Sequence, residues 1–172
     1  VFKVYRFFAC WLYGFATVGF WYLLTPLIAN IWLNEEWVIG QSIVTLILID
    51  FYFKGGRVVL VNFKTAAGVF ERDRYLALIQ GGVNLVLSIG LVQVIGLPGI
   101  YVGTVVSGVL ANLIQPYIIY HDCFGKRTLP YFVDSVKYIV VILGITVLLL
   151  PIGRVLLTEV TIVSFLAMAV VI

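Results

Sequence analysis

Long apolar runs alternate with short polar segments along the whole chain. A membrane-spanning α-helix needs about 20 predominantly apolar residues, and several of these runs are that long. We therefore predict an all-α fold, a polytopic transmembrane helix bundle over residues 1–172, and we expect it to be a fragment of a longer membrane protein. The predicted spans are about 7–32, 37–57 with an extension to 70 left open, 75–96, 100–120, 138–150 and a truncated 160–172, with a cytoplasmic linker at 121–137.

Composition excludes an ordinary soluble domain. The chain is 63% hydrophobic and only 11% charged, whereas a soluble domain carries about 25% charged residues. The net charge of +3 comes from charges between the apolar runs. We therefore expect membrane lipid as a partner, and no nucleic acid. The two cysteines, Cys10 and Cys123, do not make a disulfide framework. No cofactor and no metal are expected.

The basic residues lie on one side of the membrane when the spans are threaded alternately. That side holds Lys3, Arg6, Lys54, Arg57, Lys64, Arg72, Arg74, Lys126, Arg127 and Lys137. The other side holds only Arg154 among the cations, and without Lys54 and Arg57 the bias is still eight to one. The positive-inside rule makes the basic side cytoplasmic and predicts a multi-pass protein of the inner (cytoplasmic) membrane. Segments 68–74 and 125–131 are then cytoplasmic, and segments 34–36 and 97–99 are external.

The second apolar run is interrupted by charge. Asp50, Lys54, Arg57 and Lys64 follow steps of four and three residues, which places them on one stripe of a helix. In one interpretation the membrane span ends at Phe53 and a cytoplasmic amphipathic stretch follows, but this span is short, since 16 residues from Val38 cover about 24 Å. A helix that continues towards position 70 places the stripe against a water-filled cavity or a partner, because charge in lipid is costly. The sequence leaves open whether Lys54 and Arg57 line a cavity or lie at the cytoplasmic interface, and Gly55-Gly56 is expected to soften or kink the helix.

Small and polar residues mark one face of each of the next two predicted helices. The third helix carries Gln80, Asn84 and Ser88, and the fourth carries Thr104 and Ser107 with Gly99-x-x-x-Gly103 at its outer end. Such spacing is typical of helix–helix contact in lipid, and it also suits the wall of a cavity for a polar substrate. Both interpretations remain open.

An ordered set of motifs accompanies these faces. They are Lys64-Thr-Ala-Ala-Gly68-Val-Phe-Glu-Arg-Asp73-Arg74-Tyr75, Gly82-Val-Asn84-Leu-Val-Leu-Ser88 and Gly96-Leu-Pro-Gly99-Ile-Tyr-Val-Gly103-Thr104-Val-Val-Ser107. Over about Phe51–Tyr138 the chain resembles the C-terminal half of the polysaccharide (O-antigen type) flippases. These flippases belong to the multidrug/oligosaccharidyl-lipid/polysaccharide exporter superfamily.

The resemblance implies 12–14 helices in two pseudo-symmetric bundles, of which the N-terminal bundle is missing here. It implies a transporter, not an enzyme, with a polyprenyl-pyrophosphate-linked oligosaccharide as substrate. The expected substrate-binding residues are Arg57, Lys54, Lys64, Asp50, Gln80, Asn84, Ser88, Thr104 and Ser107. Arg57 is the expected leading contact for the pyrophosphate, since Arg suits bidentate phosphate binding. Many relatives have Glu where this chain has Gln80, which weakens a coupling-ion role for that position.

Three other functions would each leave a different feature in the sequence. An ion-coupled multidrug exporter of the same superfamily favours buried acidic residues, of which Asp50 is the one candidate. An integral membrane enzyme, such as a prenyl-phosphate transferase or an acyltransferase, needs a carboxylate cluster or an activated His, and His121 lies in a polar segment. A membrane scaffold leaves the basic stripe unexplained.

Overall fold

The computed structural model describes residues 1–32, 36, 38–68, 71–156 and 168. This part of the chain is all-helical, and no strand occurs in it. Five helices make up the fold: α1 (Phe2–Pro26), α2 (Gln41–Ala67), α3 (Glu71–Ile95), α4 (Leu97–Phe124) and α5 (Leu129–Leu156), with a π-helix (Leu27–Trp32) continuing α1. The predicted all-α class is therefore confirmed.

Four helical segments in the described ranges are long and apolar enough to cross a membrane. They are Phe2–Asn30, Tyr75–Ile95, Leu97–Phe124 and Leu129–Gly153, in agreement with a multi-pass membrane protein. Helix α2 is not among them, because Asp50, Lys54 and Arg57 interrupt its apolar sequence. The predicted last span at 160–172 lies outside the described residues, apart from Met168.

Helix α2 is continuous from Gln41 to Ala67 and ends at Gly68, whose φ of 70° is a left-handed conformation that suits glycine. The helix therefore does not stop at Phe53, while the end of the membrane span along it stays a prediction. The helix also continues through Gly55-Gly56 without interruption. Gly55 instead lets α1 approach closely, since a Cβ at this position would collide with the ring of Tyr13.

The connections between helices are shorter than predicted. Helix α4 continues to Phe124 and α5 begins at Leu129, so a break at 125–128 replaces the predicted linker at 121–137. Pro130 is accommodated because a helix does not use the N–H groups of its first turn. The same reason lets Leu97-Pro98-Gly99 form the start of α4. Gly96 alone, with φ 68°, separates α3 from α4.

Helix α4 is central to the bundle, because it contacts both α2 and α3, while α1 contacts α2 and α5. The α3–α4 contact is close at Gly99 and Gly103. A Cβ at Gly103 would lie 2.5 Å from Ser88 Oγ, and one at Gly99 would meet the backbone of Leu91. Small residues allow this approach, as expected for helices that associate in lipid.

The buried apolar side chains form two clusters. One consists of Val18, Tyr22, Leu149 and Met168. The other consists of Leu60, Ile119 and Tyr131, with a shell of aromatic rings from α1, α4 and α5 around it. Pro26 ends α1, and the π-helix that follows is consistent with proline's inability to donate the usual backbone hydrogen bond.

Candidate functional site

The charged stripe of α2 contains an ion pair. Lys54 Nζ lies 2.6 Å from Asp50 Oδ2, one helical turn away. The Asp50 side chain is only 15% exposed, whereas the Lys54 side chain is 53% exposed. Asp50 lies nine residues after Gln41 and Arg57 lies ten before Ala67, so both are about 13–15 Å from the ends of α2. These charges therefore occupy the middle of the helix.

Asp50 faces α4 through a glycine. A Cβ at Gly108 would lie 3.1 Å from Asp50 Oδ1, so the absence of a side chain there admits the carboxylate. This oxygen is buried and has no hydrogen-bond partner among the described residues. A buried carboxylate oxygen without a partner is costly, so it marks Asp50 as a site that needs an explanation.

Arg57 connects α2 to α3. Its Nη1 donates to Gln80 Oε1 at 3.4 Å, a long hydrogen bond between two side chains 23 residues apart. Both helices pack on α4, so this bond crosses between two neighbours of one central helix. The structure thus brings together Arg57 and Gln80, two of the residues predicted from sequence.

Lys64 is in the last turn of α2 and only 7% of the residue is exposed. It lies seven residues beyond Arg57, about 10 Å along the helix axis. The four charges of α2 therefore differ in environment: Asp50 and Lys64 are mainly enclosed, Arg57 is partly enclosed, and Lys54 is half-exposed.

The polar residues of α3 and α4 contact one another. Ser88 Oγ donates to Asn84 Oδ1 at 2.9 Å, and Thr104 Oγ1 donates to the Ile100 carbonyl at 3.1 Å, 3.5 Å from Asn84 Oδ1. Ser107 is 1% exposed and donates to the Thr104 carbonyl at 3.0 Å. The Thr104–Asn84 contact crosses between α3 and α4, as does a bond from Ser88 Oγ to the Ile100 carbonyl at 3.3 Å, whereas the other bonds lie within one helix. The two crossing contacts support the helix-contact interpretation of the two faces, and a role in substrate binding stays a prediction.

Arg6 is a second buried cation, which the sequence indicated only as a topology signal. Its Nη2 donates to the Tyr131 carbonyl at 2.8 Å and to Ser135 Oγ at 2.6 Å. Its guanidinium lies 3.7 Å from the centroid of the Tyr131 ring, within the range of a cation–π contact. Asp134 Oδ2 is 3.9 Å from Nη1. Arg6 thereby fixes the start of α1 to the start of α5.

A cavity of about 230 Å³ lies beside Arg6, between α1, α2, α4 and α5. Its lining is largely apolar, with Tyr52, Gly56, Asn112 and Ser135 among the residues that face it. Asn112 Nδ2 donates to the Gly108 carbonyl at 3.0 Å. The cavity therefore approaches the region where α4 receives Asp50.

One signal in the sequence could have identified Arg6. The buried residues of α1 follow helical spacing, and they are Arg6, Ala9, Cys10, Gly14, Val18 and Tyr22. Arg6 begins this stripe of small and apolar residues, which indicates a buried cation at a helix–helix contact. Its partners on α5 are 125 and 129 residues away along the chain, so a local sequence pattern could not identify them.

In the described ranges, no group of three or more His, Cys, Asp and Glu side chains is placed to hold a metal ion.

The chain matches no protein-family model, no curated protein and no solved structure.

Proposed function

We propose that this chain is part of a flippase that moves polyprenyl-pyrophosphate-linked oligosaccharide across the cytoplasmic membrane for the synthesis of cell-surface polysaccharide. The observation that supports this function best is the charged centre of α2. Arg57 and the Asp50–Lys54 pair sit midway along a continuous helix, among helices that are otherwise apolar. A charge at the bilayer centre costs about 2.5–3.5 kcal/mol even on the lowest scales, so it is kept where function needs it.

The physical problem of flipping matches these groups. A headgroup of sugars and pyrophosphate cannot cross hydrocarbon, because each unsatisfied polar group costs several kcal/mol. A hydrated groove with a permanent cation lowers that barrier by binding the pyrophosphate, while the polyprenyl tail stays in lipid. Arg57 supplies this cation. Its hydrogen bond to Gln80 is long, at 3.4 Å, so replacing it with a bond to a phosphate oxygen would lose little free energy.

We assign supporting roles to the rest of the stripe. Asp50 holds Lys54 and partly neutralises it, and Arg57 and Lys64 add two further cations to the same stripe. The polar side chains of α3 and α4, Asn84, Ser88, Thr104 and Ser107, offer hydrogen-bonding groups for sugar hydroxyls.

The test uses the full-length gene in a flippase-deleted strain, with surface polysaccharide as the measurement. Arg57→Ala should reduce transport by about tenfold or more, since a charge-assisted hydrogen bond contributes about 1.5–3 kcal/mol. Arg57→Lys should give an intermediate loss, because the charge is kept and the bidentate fork is lost. Lys137→Ala is the matched control: it removes one cation whose side chain is 71% exposed and should transport normally. Normal surface glycan from Arg57→Ala at normal abundance would contradict the proposal.

A second function is favoured by one observation, the buried Asp50 Oδ1 without a hydrogen-bond partner in the described part of the chain. An acidic side chain buried in the middle of a helix is the feature that an ion-coupled multidrug exporter favours. Proteoliposomes with the full-length protein separate the two functions. Proton-driven drug efflux that Asp50→Asn abolishes, without movement of lipid-linked oligosaccharide, would favour the exporter.

A further inference from the structure

A groove of about 610 Å³ opens where α4 ends and α5 begins. Helix α4 stops because Gly125 takes φ 57°, and the Gly125 N–H donates to the His121 carbonyl at 3.3 Å. Residues 125–128 then connect α4 to α5, and we call them the floor of the groove. Tyr117 and His121 of α4 and Leu129 and Phe132 of α5 also line the groove, and we call these four residues its walls. Its volume is within the range of about 300–1,000 Å³ that is usual for small-molecule sites.

The floor of this groove is positively charged. Lys126 and Arg127 are adjacent in sequence and both are exposed. Among the described residues, neither side chain has an ion-pair or hydrogen-bond partner. Asp122, the acid nearest to them in sequence, is directed at His121, with 2.8 Å between Oδ1 and Nδ1, and its side chain is only 18% exposed. Two cations are therefore free to attract an anion.

The walls of the groove are suited to hydrocarbon. Tyr117 is 64% exposed and Leu129 is 70% exposed, at the ends of two candidate membrane spans. The Tyr117 ring also stacks on His121, with 6.5 Å between centroids. Aromatic side chains beside cations are typical of the membrane–water interface, where one end of a ligand is polar and the other apolar.

From this juxtaposition we propose that the α4–α5 groove binds the headgroup of an anionic phospholipid, with Lys126 and Arg127 on the phosphate and the acyl chains along Tyr117 and Leu129. Basic pockets between transmembrane helices are known to suit such headgroups. A free phosphate ion would gain binding free energy from the two cations but not from the apolar walls. This site is built from α4 and α5 and does not depend on the charges of α2, so it stands or falls separately from the flippase proposal.

The experiment titrates phosphatidylglycerol into the purified full-length protein in a non-ionic detergent and counts bound lipids by native mass spectrometry. Phosphatidylcholine with the same acyl chains is the uncharged comparison. We expect one tightly bound phosphatidylglycerol whose binding is weakened by about 30-fold in Lys126→Gln/Arg127→Gln, because each cation near an anionic lipid contributes about a fivefold factor in affinity. Added salt should weaken binding to the wild type and not to the double variant.

Lys3→Gln/Lys137→Gln is the matched control. It removes the same charge from two exposed residues outside the groove and should leave the affinity unchanged. Equal affinity of the Lys126→Gln/Arg127→Gln protein, or equal retention of phosphatidylcholine, would overturn the proposal. Displacement of the lipid by millimolar inorganic phosphate would also overturn it, because the groove would then be a site for free anions. Circular dichroism of both double variants checks that the helices remain.

Discussion

The attachment of α1 to α5 through Arg6 gives the sharpest prediction about stability. Arg6 is 5% exposed and uses one nitrogen for two hydrogen bonds, to the Tyr131 carbonyl and to Ser135 Oγ. Replacing Arg6 with Ala removes both bonds and the contact with the Tyr131 ring. A hydrogen bond to a charged group contributes about 1.5–3 kcal/mol and a desolvated cation–π contact about 2 kcal/mol.

The net loss should be smaller than the sum of these contributions. Ser135 Oγ donates to the Tyr131 carbonyl at 2.9 Å, so both acceptors keep a partner when the guanidinium is removed. Asp134 is 42% exposed and retains Lys137 at 3.9 Å, so it is not left as a buried charge. We therefore expect Arg6→Ala to lower the free energy of unfolding by about 3 kcal/mol, close to the lower limit for breaking a buried charge pair. Arg6→Lys should cost about half of that, because it keeps the charge but loses the planar fork.

Equilibrium unfolding of the full-length protein in mixed micelles with increasing SDS measures this quantity. Lys3→Ala on the same helix is the control, since an exposed substitution changes stability by less than about 0.5 kcal/mol. A double-mutant cycle between Arg6→Ala and Ser135→Ala should give a coupling energy of about 1 kcal/mol. A stability of Arg6→Ala equal to that of Lys3→Ala, or a coupling near zero, would refute the assignment of Arg6 as the link between α1 and α5.

Two further predictions concern helix contact and topology. Gly103→Ala should destabilise the protein by about 1–3 kcal/mol in the same SDS assay, because its Cβ would meet Ser88, whereas Gly82→Ala, with open space around it, should not destabilise it. In a background without native cysteines, Asn34→Cys should react with an impermeant thiol reagent on whole cells and Lys126→Cys should not. Equal stability of the two Ala variants, or equal labelling of the two cysteines, would count against these inferences.

The continuity of α2 was predictable because it rests on a local periodicity. Charges at steps of four and three residues define one face of a helix, and a Lys four residues after an Asp predicts the pair seen at Asp50 and Lys54. The contact face of α4 was predictable for the same reason, since Gly99-x-x-x-Gly103 needs no distant partner to be recognised. Local patterns therefore anticipated the helices and the faces that they present.

The sequence did not predict two features of the structure, because composition alone determines neither of them. The predicted linker at 121–137 is mostly helical, since helices extend beyond the hydrocarbon and polar residues at their ends are solvated there. Pro130 also resembled a helix breaker, although it is compatible with a first turn. The role of Arg6 depends on a contact across 125 residues, which only the packing of α1 on α5 reveals.

The surroundings of α2 connect its charges to the proposed transport. Lipid would penalise each of these charges by about 2.5–3.5 kcal/mol, so α2 needs other neighbours. Helix α1 covers one side through Gly55, and α4 admits Asp50 through Gly108. Lys54 is nevertheless half-exposed, so a membrane location of α2 would require water or further protein at this face. The proposed flippase function would meet this requirement, because a hydrated cavity beside Lys54 would also give Arg57 on the same helix access to a pyrophosphate.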